Sequence, residues 1–187
     1  MPCHHLTVAY TGRPELDCCR KLLETFTLTI RPVPVDRPVD LALSLAGTHL
    51  FTPQEIALAQ YGIVNLHLAP LPEYRGRYSA THAILNGAPS FGAALHYVDE
   101  GIDTGLIIGQ HRFRIQESET AGSLRAKALV AGELLFAEIL PDLIRAAHDG
   151  RRLHALPQDE SKAHYYDRHS LPHPNPHDPL MVRALTC

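Results

Sequence analysis

Val39-Asp40-Leu41-Ala42-Leu43-Ser44-Leu45, then Thr52-Pro53-Gln54-Glu55, then Gly62-Ile63-Val64-Asn65-Leu66-His67-Leu68 is the stretch on which the fold turns. The outer segments are short apolar runs bounded by turn residues, the signature of buried strands. Between them, Thr52 followed three residues later by Glu55, with proline at the first helical position, is a capping box opening a helix that runs to about Ala59. A strand, a capped helix and a strand make a crossover unit with parallel strands. Working outward, His5–Tyr10 reads as a strand ending in Thr11-Gly12. Pro14 then opens a helix whose stripe is Leu16, Cys19, Leu22, Leu23 and Phe26. Thr27–Val33 is extended, and Pro32, Pro34 and Pro38 exclude a helix before the next strand. Downstream come a short helix at Ser79–Leu85, strands at Gly92–Val98 and Leu106–Ile115, and a long helix from Thr120 to His148 that Pro141 threatens to break. The expected fold is α/β, an open, mostly parallel twisted sheet with helices on both faces.

The chain has 187 residues, one domain's worth, enough to bury about two-thirds of its unfolded surface without disulfide or metal. We expect a catalytic domain over 1–156 and a Pro- and His-rich arm over 157–187. Lys plus Arg number 17 against 20 Asp plus Glu, and no basic stripe appears, so no nucleic-acid partner is expected. No apolar run approaches the roughly 20 residues of a bilayer span, and Met1–His5 lacks a signal-peptide pattern. No membrane partner is expected, and localisation is expected to be cytoplasmic. Cys3, Cys18, Cys19 and Cys187 have no C-x-x-C spacing and read as reduced thiols. His164, His169, His173 and His177 recur every four or five residues, but Pro172, Pro174 and Pro176 deny them a helix, so no metal site is expected.

The chemistry concentrates in Asn65–Gly105. Strand alternation sends Asn65 and His67 to one face at the carboxyl end of a parallel strand, where open α/β sheets place ligands. Asp99-Glu100-Gly101-Ile102-Asp103-Thr104-Gly105 is a glycine-bracketed acidic loop able to return a carboxylate over that end. An amide, an imidazole and a carboxylate that converge suit attack on a carbonyl. On the residues alone, a local hydrogen-bonding Asn, a satisfied core His and a turn Asp remain open alternatives. His96 is a second active-site candidate, and His82 is placed to face an acceptor pocket.

Asn-x-His at 65–67, Leu-Pro-x-Tyr-Arg-Gly at 71–76, Ala-Ile-x-Asn-Gly at 83–87 and Leu-His-x-x-Asp-x-x-Ile-Asp-Thr-Gly at 95–105, in that order, resemble the folate-dependent formyltransferase family in a short form. That family includes glycinamide ribonucleotide, methionyl-tRNA and amino-sugar formyltransferases, and the resemblance is strongest over Val39–Ile115. It implies a Rossmann-like fold with an abbreviated N-terminal half, N10-formyltetrahydrofolate as formyl donor and a small-molecule amine as acceptor. Asn65, His67 and Asp103 match the catalytic positions. His49, Leu50, Val98, Asp99, Glu100 and Gly101 match the folate side, with Leu50 as the apolar ring contact. Pro70, Tyr74, Arg75, Gly76, Arg77 and His82 are the acceptor-side candidates. Pro70-Leu71-Pro72 is nearer the amino-sugar form, and Thr11-Gly12-Arg13-Pro14-Glu15 replaces the phosphate loop of the glycinamide ribonucleotide enzymes. An amino-sugar nucleotide is therefore the expected acceptor. The alternatives are an amino acid or peptide intermediate, carrier-bound included, as in peptide synthetase formylation domains. A formyltetrahydrofolate hydrolase or a non-catalytic folate-binding domain also stand as alternatives. The missing crossover helix between Val33 and Val39 leaves a sheet strip to cover, which predicts that Ala163–Tyr166 folds back on it or that a homodimer forms.

Overall fold

Strand alternation sorts the apolar side chains onto two faces of one sheet. The computed structural model describes residues 5–172 and 178–186. Its main sheet comprises β1 (Leu6–Gly12), β2 (Leu28–Pro32), β3 (Leu41–Leu45) and β4 (Ile63–His67), with β6 (Ser90–Tyr97) and β7 (Ile107–Arg114) following a two-residue β5 (Arg75–Gly76). The order is β2-β1-β3-β4-β6-β7. It is parallel through β4, after which β6 and β7 run antiparallel, so the fold is a mixed, mostly parallel α/β sheet. The helices are α1 (Asp17–Leu23), α2 (Pro53–Leu58), α3 (Ser79–Leu85), α4 (Ala121–His148) and α5 (Pro179–Leu185).

One face presents Leu6, Val8, Leu41, Leu43, Leu45, Val64, Leu66 and Leu95 to α1 and α4, which answer with Leu16, Cys19 and Leu23 and with Leu135, Phe136, Leu140 and Leu143. Burying a Leu or Phe side chain is worth about 1.5–3 kcal/mol. Four such residues on α4 outweigh the roughly 3 kcal/mol cost of an internal proline. Accordingly α4 runs unbroken through Pro141, against the expectation of a break. The capping box at Thr52 is formed as read, with Glu55 N donating to Thr52 Oγ1 and Thr52 N to Glu55 Oε2.

The opposite face carries Ala9, Ala42 and Ile63. No helix joins β2 to β3. The strip this leaves is covered by the link itself, through Val33, Val35 and Val39, together with Ile56, Leu58 and Ala59 at α2 and with Phe51 and Val98. This corrects the expectation that Ala163–Tyr166 covers it. β8 (Tyr165–Tyr166) pairs instead with β5, in register Arg75 with Tyr165 and Gly76 with Tyr166. Gly76 has φ +88°, and a Cβ there would collide with the Tyr166 carbonyl, so only glycine fits between the two segments.

The C-terminal stretch, read as a Pro- and His-rich arm, is organised by its aspartates. Asp159 caps the turn at Glu160–Lys162 and Asp167 the turn at Arg168–Ser170. Asp178 caps α5, which has Pro179 in its first turn and buries Met181 and Ala184. His173 and His177, from the histidine series considered for metal, lie outside the described residues, as do Cys3 and Cys187. Among the described residues no group of three or more His, Cys, Asp or Glu side chains is placed to hold a metal. Nor is any described helix long and apolar enough to cross a membrane.

Candidate active site

β4 delivers Asn65 and His67 to the face opposite α4, at its carboxyl end. The antiparallel neighbour β6 sets His96 directly across from Asn65. The 98–106 loop then folds back so that Asp103 Oδ2 lies 3.5 Å from His67 Nδ1, while its Oδ1 lies 3.4 Å from His96 Nε2. Asp103 adopts φ +56°, a left-handed conformation that Asp tolerates better than most residues. Gly76 N donates to Asp103 Oδ2 at 2.9 Å, so β5 closes the cluster from the far side. The loop is pinned by Asp99, whose Oδ1 accepts from Gly101 N and Thr104 Oγ1.

The hydrogen-bond partners fix the tautomers. His96 Nδ1 is 2.8 Å from the Tyr97 carbonyl, which can only accept, so the proton of neutral His96 sits on Nδ1. His96 Nε2 is then an acceptor, and Asn65 Nδ2 at 3.0 Å must donate to it. This orients the Asn65 amide and leaves its second N–H for another acceptor. By the same logic His67 Nε2 donates to the Tyr74 carbonyl at 2.7 Å, and Nδ1 is the basic nitrogen, facing Asp103.

Burial pushes the His67 pKa down, opposed by the Asp103 carboxylate and the Tyr74 carbonyl, and the balance lies below the ordinary value. Burial alone would raise Asp103, but His67, His96 and the Gly76 N–H together hold its carboxyl well below the usual carboxylate range. At neutral pH the site therefore holds a neutral imidazole, with a free Nδ1, beside an ionised carboxylate. A proton accepted at Nδ1 creates a cation whose charge the adjacent carboxylate offsets.

The candidates on the folate side form a coherent edge. His49 Nε2 lies 2.7 Å from Glu55 Oε1 and its ring meets Phe51 edge-on, while Leu50 between them is 71% exposed. Val98 packs on the same apolar cluster as Phe51, with its N–H spent on the Ile63 carbonyl. Asp99, Glu100 and Gly101 are exposed on the returning loop.

The acceptor-side candidates divide. Pro70 is buried, and its carbonyl accepts from Tyr74 N. Arg77 is exposed, while Gly76 binds Asp103 through its N–H. Tyr74, Arg75 and His82 are committed to internal packing, which corrects their reading as acceptor contacts. Tyr166 stacks on Tyr74 (centroids 5.5 Å) and on His82 (4.2 Å), and Tyr74 and His82 are buried beneath it. The Arg75 guanidinium, in a residue only 7% exposed, is held by Glu160 and by Gln158 Oε1. Gln158 is a site neighbour that sequence reasoning missed. It sits in a proline-flanked segment with no periodicity, and only its contacts reveal it.

The family model for formyl transferases matches residues 37–140. A methionyl-tRNA formyltransferase of Staphylococcus aureus (strain JH1) is 32% identical over 125 residues, which is 67% of this chain but 39% of that relative, so the chain spans about two-fifths of its length. Among solved structures, an N-formyltransferase from Helicobacter canadensis in complex with folinic acid and dTDP-3-aminofucose is similar with a TM-score of 0.80 at 20% identity. The alignment covers 96% of this chain and 79% of that one. The formyltransferase PseJ from Anoxybacillus kamchatkensis, in complex with a UDP-linked formamido sugar and tetrahydrofolate, gives a TM-score of 0.69 at 25% identity over 86% and 84% of the two chains. With the family motifs carried on the strands and loops that build the Asn65–His67–Asp103 cluster, the chain belongs to the formyl transferase family.

Proposed function

We propose that the chain transfers a formyl group from N10-formyltetrahydrofolate to the primary amine of an amino-sugar nucleotide. The observation that carries this reading is the convergence of Asn65, His67 and Asp103 on one face at the carboxyl end of β4. The donor set suits the folate: an exposed Leu50 offers apolar area to a flat ring, beside a returning loop of exposed backbone at Asp99–Gly101. When bound, the folate supplies an activated formyl carbonyl. Asn65 directs its second amide N–H at the developing charge on the carbonyl oxygen, held in that orientation by His96. His67 accepts the proton released by the attacking amine at Nδ1, Asp103 stabilises the imidazolium so formed, and as the bond from the formyl carbon to N10 breaks that proton is returned to N10 of the departing tetrahydrofolate.

The sugar acceptor is supported by likeness of fold along nearly the whole chain, since the Helicobacter canadensis enzyme, solved with an amino-sugar nucleotide, aligns with 96% of it. A catalytic unit over 1–156 with an arm over 157–187 is part of the same proposal. The helix-free link between β2 and β3 favours a second reading, formylation of an amino acid or peptide intermediate. Incubation with N10-formyltetrahydrofolate and a panel of nucleotide-linked amino sugars, aminoacylated carriers and methionyl-tRNA tests both. Formamido sugar as the fastest product supports the proposal. Formate release independent of any amine refutes it in favour of hydrolysis, and faster formylation of methionyl-tRNA refutes the acceptor class.

A further inference from the structure

We infer that Gln158, outside every recognisable motif, is a positioning residue that sets the place of Asp103 in the active site. The inference rests on the proposed formyl transfer for its kinetic readout, and on geometry for the rest. Nε2 of Gln158 donates to the Asp103 carbonyl and to the Gly105 carbonyl, both at 2.8 Å, so its two N–H groups grip the loop on either side of Thr104. Its Oε1 accepts from Arg75 Nε at 3.0 Å and Arg75 Nη2 at 2.8 Å. A glutamine amide offers two donors and two acceptor lone pairs, and all four are used here. The residue beyond Arg75 is Gly76, whose N–H grips the Asp103 carboxylate. Gln158 thus ties together the two segments that hold Asp103, one by its main chain and one by its side chain.

The need for such a tie follows from the loop itself. Asp103 sits in a left-handed conformation, which costs on the order of 1 kcal/mol and persists only where the surroundings impose it. Gly105 is confined as well, since a Cβ there would collide with the Tyr97 carbonyl. Without Gln158 the Asp103 and Gly105 carbonyls lose their shared donor, and an outward shift of about 1 Å in a group that orients a base is enough to cost on the order of 100-fold in rate.

Two variants separate positioning from mere docking of the C-terminal segment. Gln158→Glu keeps an acceptor for Arg75 but has no N–H for the two carbonyls; Gln158→Met loses both. Both are expected to lower kcat by roughly 10- to 100-fold, with the KM for the amine changed less than threefold. In Gln158→Met, the His67 ring, followed by NMR, is expected to titrate at lower pH than in the wild type. The ionisable groups around His67 are Asp103 and His96, and moving Asp103 away removes the one that raises its pKa. If Gln158→Glu keeps kcat within threefold of wild type, the donors to the loop are not needed and the inference fails. An unmoved His67 titration in Gln158→Met overturns it equally. A wild-type protein that transfers no formyl group would refute the proposed function, and the His67 titration would still decide the role of Gln158.

Discussion

Replacing Asn65 with alanine separates the chemistry of the site from its architecture. The side chain has one N–H on His96 Nε2 at 3.0 Å, and in the proposed mechanism the second meets the reacting oxygen. Loss of one preorganised donor to a developing oxyanion costs roughly 100- to 1,000-fold in kcat, about 2.7–4 kcal/mol of transition-state stabilisation. The effect on folding is expected to be smaller. Truncation leaves His96 Nε2, in a residue only 2% exposed, without its donor, and a buried unsatisfied polar atom costs about 1–3 kcal/mol. Asn65 is itself only partly buried, however, so water can take the place of the lost donor, which holds the loss to about 1 kcal/mol. For a chain of this length that is a fall of about 2–4 °C in Tm. Single-turnover formyl transfer measured beside thermal unfolding gives both quantities. A variant that transfers within tenfold of wild type would show that Asn65 does not stabilise the reacting oxygen. A collapse in Tm far beyond that range would show that the residue is chiefly structural.

Three further outcomes follow from the same geometry. Asp103→Asn keeps a side chain suited to φ +56° while removing the charge. Because the folded carboxyl binds its proton less readily than the unfolded one, the charge stabilises the fold above about pH 4 and loses that contribution as pH falls below it. The stability gap between wild type and Asp103→Asn should therefore hold steady down to about pH 4 and narrow progressively as the pH falls further in urea titrations, and a gap independent of pH below that point would contradict the assignment. Tyr166→Ala removes the ring stacked on Tyr74 and His82 and the hydroxyl that accepts from Asn86, and should cost about 2–3 kcal/mol in chemical denaturation. Gly105→Ala drives a Cβ into the Tyr97 carbonyl and should cost about 2 kcal/mol or more, with activity falling as the Asp103 loop shifts.

What was legible in the sequence divides along a physical line. Periodicity and caps are local. The strand at Ile63–His67, the Thr52 capping box and the helix at Ser79–Leu85 emerge where the pattern puts them, and the side-chain period of two is enough by itself to place Asn65 and His67 on one face. Burial is not local. Pro141 reads as a break, yet the apolar residues around it are held by the sheet and the helix continues. Arg75 and Tyr74 lie inside a motif and read as ligand contacts. A buried guanidinium needs acceptors, however, and they arrive from Gln158 and Glu160, more than eighty residues later in the chain. The C-terminal segment was illegible for the same reason: its strand is two residues long and gains its pairing only from β5. One signal there was readable and missed. Asp178-Pro179 followed by Met181 and Ala184 is a capped helix start with two core positions three residues apart. Long-range polar ties such as Arg75–Gln158–Asp103 have no sequence period, because nothing in the chemistry of a hydrogen bond fixes the separation of its partners along the chain. In the proposed mechanism the motif supplies the reacting groups, and residues with no motif at all supply the constraint that holds them in place.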